Sequence, residues 1–183
     1  GSSDAENRES IGTMYQWGRK DPFYAVRPEN TWDWNMFYTR KSTQWTTAES
    51  IEHPTIFAGY DSWNKKSTYS LWSMTEKTIY DPCPAGYKVT NKEIWQDFTL
   101  TKADSNNPEE FNISGSHDRG LDFYYDGVNT TYHPANDLIN PNGGYSRRDN
   151  VGDIWSSEAS SGYRAYRWNY EYYENSQRVQ LWY

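Results

Sequence analysis

A single cysteine, Cys83, occurs in 183 residues, so the chain cannot close a disulfide within itself. Aliphatic side chains are scarce too. Leu, Ile, Val and Phe together number 24, well under the roughly 20% below which disorder is the first suspicion. Cations do not dominate: 18 Lys and Arg stand against 25 Asp and Glu, for a net charge of −7, and no basic stripe exists to meet nucleic acid. No run of 18 apolar residues is present, so no segment is a candidate membrane span. His53, His117 and His133 lie too far apart for zinc-ligand spacing. A Gly-rich phosphate loop, a Gly-x-Ser-x-Gly elbow and a metal-ligand pair are all missing.

What the chain has instead is rings. Ten Trp and 17 Tyr, each able to bury roughly 150–250 Å², replace the missing aliphatics. Together with a modest net charge they predict a folded chain whose core is built largely from aromatics. The length suits one domain, taken as residues 11–183, with residues 1–10 an artificial start or flexible linker that contains no signal peptide. A mean hydropathy of −1.09 predicts a surface both polar and aromatic. Such a surface suits recognition of carbohydrate or protein; equally, it suits an extracellular β-rich scaffold whose Tyr hydroxyls face water. Residues 141–183 carry five cations and five acids, so the whole negative balance lies in residues 1–140.

The clearest local pattern is Lys77-Thr-Ile-Tyr-Asp-Pro-Cys-Pro-Ala-Gly-Tyr-Lys-Val-Thr90, followed by Asn91 to Phe98. Pro82 and Pro84 fix φ on both sides of Cys83, and Gly86 permits a sharp reversal. Thr90 and Glu93 have capping-box spacing, which predicts a helix over 91–99 with Ile94, Trp95 and Phe98 on its core face. Elsewhere, Met14 to Trp17, Ile56 to Tyr60 and Gly120 to Val128 read as strands, the last with Leu121, Phe123 and Tyr125 alternating. Residues 27–50 contain rings and short strands. Residues 61–64 read as a turn and 101–110 as a loop. Residues 129–153 read as a long excursion with its clearest turn at 140–144. His53 and His133 precede Pro and read as turn residues.

The 77–98 passage resembles the Cys-Pro-x-Gly-Trp signature of a large paralogous module of Bacteroidetes and Fibrobacter surface proteins. Tyr15-Gln-Trp-Gly-Arg-Lys-Asp-Pro-Phe23 is similar to the module's entry motif, and Ile154-Trp-Ser-Ser157 to its Tyr-Trp-Ser-Ser element. The resemblance implies an α+β, C-type-lectin-like fold of short antiparallel sheets, one or two helices and long loops. That scaffold is shared with formylglycine-generating enzymes, fimbrillin-like proteins and retroelement-diversified binding proteins. It implies structural roles for Trp17, Cys83, Gly86, Trp95, Phe98 and Trp155. It also implies a cell-surface or extracellular location, in a parent chain that is lipid-anchored or pilus-associated. The family's usual second cysteine is missing from the C-terminal strand, and formylglycine-generating chemistry needs further cysteines, so catalysis is not expected. Cys83 reads as a buried structural thiol.

The tail holds the candidate site. Tyr166, Trp168, Tyr170 and Tyr172 recur at period two, with Ala165, Arg167, Asn169, Glu171 and Tyr173 opposite. Residues 174–177 then read as a turn into a last strand with Val179 and Leu181 inward. Two readings are open: the even-numbered rings pack the core and the odd-numbered side chains merely face solvent, or the segment displays Tyr, Arg and Asn to a ligand. The resemblance favours display. The candidate ligand-binding residues are therefore Tyr163, Arg164, Tyr166, Arg167, Trp168, Asn169, Tyr170, Tyr172 and Tyr173, with no cofactor and no metal. Asp149 and Asp153 read as solvated loop acids rather than cation ligands. Glu109 and Asp122 form one of many formal carboxylate pairs, a weak basis for glycoside hydrolysis. Asn112-Ile-Ser and Asn129-Thr-Thr match glycosylation sequons, which a bacterial origin leaves unused. The expected function is recognition of a glycan or protein ligand; the alternative is a structural subunit of a pilus or surface assembly.

Overall fold

The computed structural model describes residues 13–23, 25–26, 35–36, 38–58, 63–64, 71–102, 107–117, 120–136, 138–139, 145–146, 151–161, 164–173 and 176–182. The fold is mixed α+β, with short sheets, few helices and aromatic clusters. In chain order come β1 (Ala25–Val26), β2 (Asn35–Met36), β3 (Thr39–Lys41), α1 (Thr47–Glu52) and β4 (Ile56–Ala58). They are followed by a 3₁₀ segment over Lys92–Phe98, a shorter one over Pro108–Glu110, β5 (Ile113–His117), β6 (Gly120–Tyr124) and β7 (Thr130–Pro134). The last strands are β8 (Leu138–Ile139), β9 (Tyr145–Ser146), β10 (Val151–Ser161), β11 (Arg164–Tyr173) and β12 (Ser176–Trp182). Two three-stranded antiparallel sheets dominate, β5-β6-β7 and β10-β11-β12, while β3 and β4 pair in parallel.

The capping box lies where the sequence reading placed only short strands. Thr46 N–H donates to Glu49 Oε2 at 2.7 Å, and Glu49 N–H donates to Thr46 Oγ1 at 3.2 Å, closing the start of α1. Six residues are too few to hold a helix alone. Its far end is held by Arg19, whose guanidinium donates to the carbonyls of Ser50 (3.2 Å), His53 (3.3 Å), Pro54 (3.3 Å) and Ile56 (2.8 Å). Arg19 is itself buried and stands over the Phe23 ring at 4.9 Å. Burial lowers its pKa to about 10, against a smaller opposing pull from Asp21.

The predicted helix over 91–99 is a 3₁₀ segment, and Thr90 does not cap it: Asn91 holds the N-cap position without a side-chain bond. Three residues per turn place Trp95 and Phe98 on the same side, both buried. Ile94 falls a third of a turn away and is exposed, which corrects its assignment to the core face. The predicted strand from Gly120 stops at Tyr124, because the Asp126 carboxylate accepts from Val128 N–H (2.9 Å) and Asn129 N–H (2.6 Å) and turns the chain. Gly127 meets that turn with φ of 84°. Tyr125 is therefore exposed instead of inward. The expected excursion over 129–153 contains β7, β8, β9 and the start of β10, so His133 is a strand residue rather than a turn residue. The predicted turn at 140–144 lies outside the described residues, as does Tyr60; at residues 61–64 only Trp63 and Asn64 are described.

Aromatics do supply the core. One cluster joins Trp95, Phe98, Phe111, Leu121, Phe123, Trp168 and Tyr170. There Trp168 stacks on Phe98 with ring centroids 5.0 Å apart and planes at 11°. A second cluster holds Trp45, Ala58, Trp63 and Leu71, and a third Trp17, Trp72 and Ala165. Offset and edge-on ring contacts add to the area they bury.

The three sequence motifs meet in space. Trp17 Nε1 donates to the Ser156 carbonyl at 2.8 Å, and Trp155 Nε1 donates back to the Tyr15 carbonyl at 3.0 Å. Ser157 N–H donates to the Thr90 carbonyl at 2.7 Å. Residues separated by 139 and 140 positions are thus stitched by indole N–H groups. Behind this junction the buried Asp81 carboxylate accepts from Lys77 Nζ (2.8 Å), Cys83 N–H (2.8 Å) and Val89 N–H (2.9 Å). Gly86, with φ of 86°, completes the reversal.

Candidate binding surface

Strand β11 is central in its sheet, with β10 on one side and β12 on the other. Its register pairs Trp168 with Ile154 and Leu181, and Tyr170 with Gly152 and Val179. The even-numbered side chains face the core: Trp168 and Tyr170 are fully buried and Tyr166 packs at the margin of the same cluster. The Tyr170 hydroxyl donates to the Pro134 carbonyl. Burial, with smaller contributions from Tyr132 and Asp153, raises the Tyr170 pKa well above its ordinary value. Trp168 and Tyr170 are therefore packing residues, and their assignment to a ligand-facing row is corrected.

The odd-numbered face is not simply solvated either. Asn169 and Glu171 are buried, so Asn169 too leaves the accessible set. Asn169 Nδ2 donates to the Gly152 carbonyl at 3.4 Å and reaches Asp153 Oδ2 at 3.5 Å. Asp153 lies in β10, not in a loop as read from the sequence. Its Oδ2 accepts from Arg167 Nη1 at 2.6 Å, and its N–H donates to Asn136 Oδ1 at 3.0 Å. Arg167 keeps 29% of its side chain exposed and stands 6.0 Å from the Trp155 ring centroid.

Accessible groups concentrate at the start of β11. Arg164 is exposed, while Tyr166, Arg167 and Trp155 are partly so. Lys92 Nζ stands 4.4 Å from the Tyr166 ring centroid. Opposite Tyr166 the register of β10 slips between Trp155 and Ala159. Such a bulge re-aims side chains, and here Ser156 Oγ accepts from Glu158 N–H at 3.0 Å. Tyr163 lies outside the described residues, as do the side chains of Tyr172, Tyr173, Val179 and Leu181. The pairing of Tyr173 with Ser176 shows that β12 begins within the predicted 174–177 turn.

The residues expected to be structural are Trp17, Trp95 and Phe98, all buried, with Trp155 and Cys83 half-buried and Gly86 exposed. Cys83, expected as a buried structural thiol, is only half-buried; its thiol is free, and burial followed by the charge of Asp81 pushes its pKa up. Sequence reasoning missed Lys92, Asn136 and the pairing of Asp153 with Arg167. Two-residue periodicity in residues 151–155 was the available signal for the last, since it places Asp153 and Trp155 on one strand face. Among the described residues no group of three His, Cys, Asp or Glu side chains is arranged to hold a metal ion, and no helix is long and apolar enough to cross a membrane. No protein-family model, curated protein or solved structure matches the chain.

Proposed function

We propose that this chain is a cell-surface or secreted recognition module of C-type-lectin-like fold. It binds a glycan or protein ligand at the start of β11, through Arg164, Tyr166, Arg167 and the neighbouring Trp155. It acts by equilibrium binding rather than by catalysis. The observation that carries this reading is the fixed attitude of Arg167, gripped by Asp153 at 2.6 Å beside the Trp155 indole and still partly exposed. A guanidinium and rings held on a hydrogen-bonded sheet lose little entropy on binding, which favours affinity.

A second reading, as a structural subunit of a surface assembly, draws on the exposure of Ile79, Tyr87, Leu100 and Val128. Apolar side chains left in water favour contact with another chain when they form a patch. A glycan screen of the purified chain, with calcium and with chelator, separates the readings. Saturable binding to one glycan class that is lost in a folded Arg167→Ala variant supports the site. Binding unchanged in that variant overturns it. Silence toward glycans with concentration-dependent light scattering favours the subunit.

A further inference from the structure

The two main sheets meet at an imidazole. His133, on β7, is enclosed by Trp168 (ring centroids 4.8 Å apart), Phe98 (5.4 Å), Phe123 (5.7 Å) and Tyr170 (6.3 Å), each ring within about 20° of perpendicular to it. These rings come from the 3₁₀ segment 92–98, from β6 and from β11, so a single side chain bridges three elements. His133 Nε2 is buried with no hydrogen-bond partner among the described residues, and the same is true of Trp168 Nε1. Unmet polar groups at a joint make it costly to charge.

Among the described residues, the charged groups of the neighbouring elements lie off the cage. On β6 the residue between Leu121 and Phe123 is Asp122, on the opposite face of the strand. On β11, Arg167, Asn169 and Glu171 face away from the cage, and Asp153 of β10, whose charge is felt at the Tyr170 hydroxyl, is engaged with Arg167. Of the charged groups on the 3₁₀ segment, Glu93 and Asp97 are exposed and Lys92 lies over Tyr166. Tyr132 is adjacent on β7, and the Tyr170 hydroxyl is committed to the Pro134 carbonyl. A proton on His133 would therefore place a cation among four rings, its Nε2–H meeting no acceptor among the described residues.

We propose that His133 is an acid-sensitive latch: its protonation releases the β5-β6-β7 sheet from the C-terminal sheet. Burial lowers its pKa from 6.5 to about 4. The neutral form is thus favoured by folding. The stability it confers is complete above the unfolded value of 6.5 and is lost as pH falls from there toward 4. Because β11 supplies two walls of the cage and also carries Arg167, acid would disturb the proposed binding surface as it opens the joint.

The test is urea unfolding of the intact chain at pH 7, 6, 5 and 4, for the natural protein and for His133→Phe, which keeps a ring and cannot titrate. The unfolding constant of the natural protein is expected to rise by up to tenfold per pH unit across this window, on the order of 10²-fold in all. In His133→Phe that component is expected to vanish. Identical pH profiles for the two proteins would overturn the latch. Should His133→Phe not fold, NMR titration of the His133 imidazole in the natural chain decides. Persistence of the neutral ring to below pH 5, with unfolding on protonation, supports the latch. Titration near pH 6.5 with the fold intact sinks it.

Discussion

The ring of Tyr170 lies across Gly152, its cross-strand partner, so closely that a Cβ on residue 152 would stand 1.7 Å from Tyr170 Cζ. Gly152 is buried in β10, where glycine otherwise weakens a strand. Here it makes the room in which Tyr170 reaches the Pro134 carbonyl and closes one side of the His133 cage. Gly152→Ala is expected to lower unfolding stability by roughly 1–3 kcal/mol or more, as overpacking does. Urea denaturation read by near-ultraviolet circular dichroism checks it. An unchanged midpoint would mean that Tyr170 can move aside freely.

Much of this arrangement was legible in the chain, and the limits were physical. Period two over residues 165–173 located β11 and separated its faces, because strand geometry fixes alternation whatever the partners are. It did not say which face was covered. Burial of both faces near Trp168 and Asn169 depends on the preceding strand β10 and on β7 and the 92–98 segment, the last two distant in sequence. The three motifs marked the junction at Trp17, Ser156 and Thr90, yet only the structure shows that indole N–H groups join them. The helix over 92–98 was located but mistyped. Thr90–Glu93 spacing matches a capping box, whereas the Thr90 carbonyl and hydroxyl are spent on Ser157 and Asn91.

Arg19 illustrates a group whose role no local pattern announces. It lies in a charged run beside Lys20 and Asp21, yet it is buried and serves five acceptors on Gln16, Ser50, His53, Pro54 and Ile56. Arg19→Met keeps bulk but strands those neutral acceptors, and is expected to cost at least about 1–3 kcal/mol, the range for leaving a buried polar group unsatisfied. Arg19→Lys retains the cation without the planar fork, and is expected to recover only part of the loss. Equal stability of Arg19→Met and the natural protein would show that water replaces the guanidinium without penalty.

Asp81 organises the Pro-Cys-Pro turn through three donors. Desolvation pushes its pKa up, but the hydrogen bond from Lys77 and those from Val89 N–H and Cys83 N–H together outweigh it and hold the carboxyl below its ordinary value. A depressed carboxylate confers stability that is complete above the ordinary value and disappears as pH falls through the folded one. The Asp81 contribution is therefore expected below about pH 4, under the His133 window. Asp81→Asn should remove this lower acid limb, leave the upper one, and reduce stability at pH 7 by about 1–3 kcal/mol. Retention of the lower limb in that variant would assign it to other carboxylates.

Trp168 and Arg167 are adjacent in sequence and opposite in consequence. Trp168→Ala empties the centre of the main aromatic cluster, where Trp168 touches Trp95, Phe98, Phe123, His133 and Tyr170. Its expected cost is about 3–5 kcal/mol, enough to unfold a marginal domain. Loss of ligand in that variant would say nothing about contact. Arg167→Ala removes one partly exposed partner of Asp153, whose side chain is only 6% exposed, and is expected to cost about 1–3 kcal/mol, less than Trp168→Ala because the neighbouring Asn169 amide remains within reach of the carboxylate. Thermal unfolding of the two variants side by side measures this contrast. A stability loss in Arg167→Ala as large as that in Trp168→Ala would make Arg167 a packing residue, and would remove it from the binding surface on the same ground that excluded Trp168.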